Sequence, residues 1–135
     1  MFYNKGLSMR KLIILAATAA ALSGCSTLVQ MRNFDDNLVP QNANRTHTQE
    51  SVGEAILLAC KQLTWKCRIQ ETGKILGVLD IRKHQLRVNI DYNEAQYDID
   101  YKDSINLDYN GEKIHRQYVN WVTNLTRHID SELAN

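Results

Sequence analysis

The stretch Ile75-Leu76-Gly77-Val78-Leu79-Asp80-Ile81, followed by His84-Gln85-Leu86-Arg87-Val88-Asn89-Ile90-Asp91-Tyr92, decides the fold. In the second run His84, Leu86, Val88, Ile90 and Tyr92 alternate with polar residues, the period of a strand buried on one face. Ile75, Gly77, Leu79 and Ile81 share one face of the run before it, and Tyr97, Ile99 and Tyr101 share one face of the run after it. The breaks are short, so the strands are antiparallel neighbours. With Tyr92 to Gln96 as a loop, Val88 is expected opposite Ile99 and Arg87 opposite Asp100. A three-residue loop at Lys102-Asp103-Ser104 would start a further strand of Ile105, Leu107 and Tyr109, with Ile99 opposite Leu107. Leu76 and Val78 are the misfits, apolar on the otherwise polar face.

Upstream, Trp65, Cys67 and Ile69 alternate with Lys66, Arg68 and Gln70 and read as another strand, which turns at Glu71-Thr72-Gly73-Lys74. A helix precedes it, starting near Thr48 or Ser51, because Ser51-Val52-Gly53-Glu54 has the spacing of a capping box and Val52, Ile56, Ala59, Cys60 and Leu63 recur at helical spacing. Downstream, Asn110-Gly111 ends the sheet. From about Lys113 a long amphipathic helix presents Ile114, Tyr118, Trp121, Leu125 and Ile129 on one side and Arg116, Asn120, Asn124, Arg127 and Asp130 on the other. The expected fold is α+β in two layers: helix, a meander of about five antiparallel strands, helix, with both helices on one sheet face.

The N-terminus carries an address. Lys5, Arg10 and Lys11 precede the apolar run Leu12 to Leu22, which leads into Leu22-Ser23-Gly24-Cys25. A run of eleven residues, apolar but for Thr18, is too short for a permanent span, which needs about twenty, and the arrangement is that of a secretory signal. Translation starting at Met9 would retain a basic region in Arg10-Lys11. Leu22 to Cys25 resembles the lipobox of bacterial lipoproteins. That resemblance implies cleavage before Cys25, a diacylglyceryl group on its thiol and acylation of its new amine. Ser26 follows, not the Asp associated with inner-membrane retention, so the resemblance implies an outer-membrane anchor facing the periplasm.

Removal of residues 1–24 from a chain of 135 leaves 111, enough for a single domain. It also leaves thirteen Lys and Arg against fifteen Asp and Glu. With no basic run and no Lys/Arg-rich face, the electrostatic footprint of a nucleic-acid binder is missing. Residues 25–47 are polar apart from scattered apolar positions such as Phe34 and Leu38-Val39-Pro40, and they read as a lipidated cysteine followed by a flexible tether. Such a tether would hold the domain, residues 48–135, roughly 25 Å from the membrane on average.

Two further runs, Ile114 to Leu125 and, ahead of it, Tyr97 to Leu107, resemble small bacterial lipoproteins to which no activity is attached. The likeness spans roughly residues 50 to 132. It implies a lipid-anchored periplasmic αβ domain and transfers no site residue.

Chemistry-bearing residues are few. Cys60 and Cys67 face inward across a helix-to-strand reversal, and in an oxidising compartment a disulfide is favoured over two reduced, buried thiols. Their spacing lacks the tight ligand pairs of a zinc site, so no metal is expected. His115 and His128 fall on different faces of one helix, while His84 opens a strand and His47 lies in the tether. Asp98, Asp100, Asp103 and Asp108 read as a solvated face rather than a cation site, since no glycine-punctuated loop accompanies them. There is no nucleophile elbow and no phosphate-cradling glycine loop, so neither a catalytic residue nor a cofactor is expected.

The expected function is a non-enzymatic binding or structural module of the envelope, whose partner is an envelope protein or peptidoglycan. Leu76 and Val78, rimmed by Arg87 and Asp100, are its expected contact. Burial of those two residues under the tether is the competing account. The alternative function is a small periplasmic hydrolase or metal-dependent enzyme using His84 or the aspartates, which requires a pocket joining His84 to an acid.

Overall fold

A computed structural model describes residues 27–135. Residues 1–24, expected to be a signal segment, and Cys25 lie outside them. In chain order the elements are β1 (Leu28–Gln30), β2 (Phe34–Leu38), α1 (Gln49–Gln62), β3 (Lys66–Glu71), β4 (Lys74–Ile81), β5 (His84–Tyr92), β6 (Gln96–Ile105), β7 (Lys113–His115) and α2 (Arg116–Ala134). Strands β3 to β6 form an antiparallel meander, and β2 joins it beside β6 to give the order β2-β6-β5-β4-β3. A small second sheet pairs β1 with β7.

The period-2 pattern is realised as cross-strand pairs. Ile75 pairs with Ile90, Gly77 with Val88 and Leu79 with Leu86, all on the face against which the helices pack. Tyr92–Tyr97 and Ile90–Ile99 continue that face into β6. From α2 it is covered by Tyr118, Val122, Leu125, Ile129 and Leu133, each fully buried. From α1 come Val52, Ile56, Ala59 and Cys60, equally closed off. Cys60 and Cys67 sit at disulfide distance with Cα atoms 6.1 Å apart, tying α1 to β3. On the chain-entropy account, closing so short a loop contributes about 2 kcal/mol. Gly77 makes the room: a Cβ there would meet Val88 Cγ2 at 3.1 Å and Cys67 Sγ at 3.3 Å.

The β5–β6 register differs from expectation. Val88 lies opposite Tyr101, and Arg87 opposite Asp103 rather than Asp100. Lys102-Asp103-Ser104 is no turn, because a bulge opposite Arg87 and Val88 absorbs the extra residue and β6 runs on to Ile105. The strand expected from Ile105 to Tyr109 does not form, since Asn106 and Asp108 take left-handed backbone at φ 59 and 54, and two such residues so close together break the extended run. Leu107 turns into the core instead, and Tyr109 packs on Tyr101 with ring centres 4.6 Å apart.

The fifth strand comes from the segment read as a tether. Residues 28–47 are part of the domain. Met31 N–H donates to the Glu112 carbonyl and Val39 N–H to that of Ala95. Phe34, Val39 and His47 are buried, Phe34 lying edge-on to Tyr118 at 6.1 Å. The Tyr118 hydroxyl donates to the Arg32 carbonyl at 2.7 Å. Composition hid this because the strand is irregular: Asp36 has φ 60, the register shifts between Phe34 and Asn37, and the apolar alternation is lost with it.

Helix boundaries also move. The α1 cap is Thr48, one of the two starts expected, and the capping box is Thr48 with Ser51 rather than Ser51 with Glu54: Ser51 N–H donates to Thr48 Oγ1 at 3.1 Å, and Thr48 N–H to Ser51 Oγ at 2.9 Å. Buried His47 fixes this turn, its Nε2–H donating to the Leu133 carbonyl at 2.7 Å. Helix α2 begins at Arg116, because Lys113–His115 pairs with β1. Its first turn is capped by His115 Nδ1, which accepts from Gln117 N–H.

Candidate functional site

Neither helix lies on the other face of the sheet. Its side chains follow from the same registers: Lys66 beside Val78 and Arg68 beside Leu76, then Leu76 beside Asn89 and Val78 beside Arg87. Leu76 is 6 % exposed and Val78 half-buried. The chain at 28–47 does not cover them, since β2 sits at the opposite edge of the sheet. They floor an open groove of about 290 Å³ whose walls include Lys66 and Arg68. Sequence reading singled out Leu76 and Val78 and missed those two cations, because their neighbour strand was known but its register was not.

Arg87 and Asp100 do not pair. Arg87 donates to Asp103 Oδ2 at 3.0 Å, and Asp100 stands across from Asn89. Lys66, Arg68 and Arg87 stand around the groove, Lys66 ion-paired with Asp80 at 3.4 Å and Arg87 with Asp103, while Asp35, Asp98 and Asp100 lie toward the β2 edge.

Within the acidic half, Asp100 Oδ1 is closed off from water with no hydrogen-bond partner among the described residues. A hydrogen bond shared with Asp35, partial burial, and the negative charges of Asp35, Asp98 and Asp91 push its carboxyl up to about 7. A carboxyl raised in the folded state stabilises the fold fully below its unfolded value near 3.8, and that contribution is lost as pH rises through about 7. Urea midpoints are accordingly expected to fall between about pH 4 and 7 and to level off above that. Asp100→Asn should flatten that slope and raise stability at pH 8 by about 1 kcal/mol, a figure reduced for solvent screening of this half-exposed group. An unchanged slope in the variant would place the dependence elsewhere.

The histidines assemble differently from expectation. His84 and His115, far apart in sequence, bring their rings to 6.5 Å, with Trp121 6.1 Å from His84. His84 Nδ1–H donates to the Asn106 carbonyl at 2.7 Å. His128 stands apart, its Nδ1 bonded to the carbonyl of Asn124. Among the described residues no three His, Cys, Asp or Glu side chains come together as a metal site. The grooves beside Glu50 and Tyr92 and beside Lys74 and Asp91 do not include His84.

No helix of the described residues is long and apolar enough to cross a membrane. Comparison with family models, with curated proteins and with solved structures finds no significant match.

Proposed function

We propose that the chain is a lipid-anchored module of the bacterial cell envelope, held through Cys25 at the outer membrane, facing the periplasm and binding another envelope protein without catalysing a reaction. The observation that carries the binding role is the groove floored by Leu76 and Val78 and walled by Lys66 and Arg68, on a sheet face that neither helix covers. An apolar floor with a cationic rim suits a partner segment that is apolar with acidic flanks. The anchor rests on the Leu22-Ser23-Gly24-Cys25 sequence.

A photo-crosslinking side chain at Val78, activated in living cells, is expected to capture one dominant envelope protein. Capture should fall when Lys66 and Arg68 are both changed to Glu. Capture of glycan strands instead would make peptidoglycan the partner, and a label at Val78 that captures nothing, while one at Asp98 does, would move the contact to the acidic half.

A further inference from the structure

We infer that the domain lies directly on the bilayer, with the end that carries the β4–β5 turn, the 106–112 loop and the start of α2 set against lipid headgroups. The inference rests on the lipid-anchor reading of Cys25 and goes beyond it in fixing which surface the anchor draws down.

Chain reach comes first. The Thr27 carbonyl accepts the Arg116 backbone N–H at 2.8 Å, and Leu28–Gln30 pairs with Lys113–His115. Thr27 is therefore pinned at the start of α2, and Cys25 is two residues before it in sequence. Two residues span at most about 7 Å, so the acylated residue emerges beside the folded body. One end of the domain converges there. The β4–β5 hairpin turns at Arg82-Lys83 between Ile81 and His84, and Ile105 pairs with Gln85 beside it. Asn106 Nδ2 donates to the Lys83 carbonyl at 2.6 Å, and His115 N–H to that of Leu107 at 2.8 Å.

Surface chemistry at this end is independent of reach and points the same way. Ile105 is 55 % and Tyr109 42 % exposed, two of the five large apolar side chains that stand out to solvent among the described residues, the others being Leu38, Leu58 and Ile69. Trp121, half-buried, stands beside His84. Arg82, Lys83, Lys113 and Arg116 are all exposed, against Asp108 and Glu112. Aromatic rings favour the headgroup layer and cations favour anionic lipid. The occupant is thus a bilayer containing anionic phospholipid.

The test uses the full lipidated chain in vesicles of phosphatidylethanolamine with phosphatidylglycerol. Nitroxide labels are placed by Ile105→Cys at this end or Glu71→Cys at the opposite one. The label at 105 is expected to collide roughly threefold less with a water-soluble nickel chelate than the label at 71, and more with lipid-dissolved oxygen, as burial in the headgroup region requires. Lys83→Glu with Lys113→Glu, both outside the core, should raise nickel access at 105 toward the value at 71. Equal access at both labels in protein that floats with the vesicles would overturn the contact while leaving the anchor intact. Protein that neither floats nor carries acyl mass would overturn the anchor, and this inference with it. Access at 105 that is unmoved by the charge reversals would overturn the role of anionic lipid.

Discussion

Tyr118→Ala is expected to destabilise the domain by about 3 to 5 kcal/mol, the range for removing a large aromatic side chain from a packed core. The ring is fully buried and meets Phe34 edge-on at 6.1 Å and Tyr101 edge-on at 5.7 Å. Its hydroxyl holds the Arg32 carbonyl, and burial pushes its pKa well above the usual tyrosine value. One side chain thus joins α2, β6 and the N-terminal segment. A domain of this size has about 5 to 15 kcal/mol in total, so the variant should be partly unfolded in mild denaturant. Tyr118→Phe keeps the ring and loses the bond to Arg32, and should cost only about 1 kcal/mol. Equilibrium urea unfolding of both variants checks this. A Tyr118→Ala midpoint close to that of Tyr118→Phe would mean that the ring is not packed between these elements.

Cys25→Ala is expected to abolish anchoring. The proposed acylated cysteine carries several chains, and two or more are what turns marginal binding into lasting attachment. Without the thiol no diacylglyceryl group can be added, and the normal cleavage has no substrate. Cell fractionation should then show the protein either in the soluble periplasmic fraction or as a precursor that retains residues 1–24. Mature-sized protein still in the membrane fraction would contradict the lipoprotein reading.

What could be read in the sequence follows from how local the determinants are. β5 alternates over nine residues, β4 keeps Ile75, Gly77, Leu79 and Ile81 in step over eight despite Leu76 and Val78, and α2 keeps its apolar stripe from Tyr118 to Leu133, so type and burial are written in the spacing. Registers are not. The β5–β6 pairing turns on a bulge whose cause is non-local, and Lys102-Asp103-Ser104 looks like a turn until Arg87 is seen to claim Asp103. β2 was illegible because Phe34 and Val39 flank a left-handed Asp36 and owe their burial to Tyr118 and β6, more than fifty residues away. The Leu76–Val78 floor was legible as a break in alternation. Its cationic wall required the β3–β4 register, and the approach of His84 to His115 required the whole fold.

β1 and β2 carry the central claim, that the proposed anchor meets the folded body directly and not through a spacer. Hydrogen exchange of the lipidated full chain, read amide by amide over residues 27–39, tests it. Met31 and Val39, whose N–H groups bond to Glu112 and Ala95, should exchange only through opening of the domain, with protection comparable to β6. Exchange at those amides at the rate of an unstructured chain, while β6 stays protected, would restore the spacer and contradict the account.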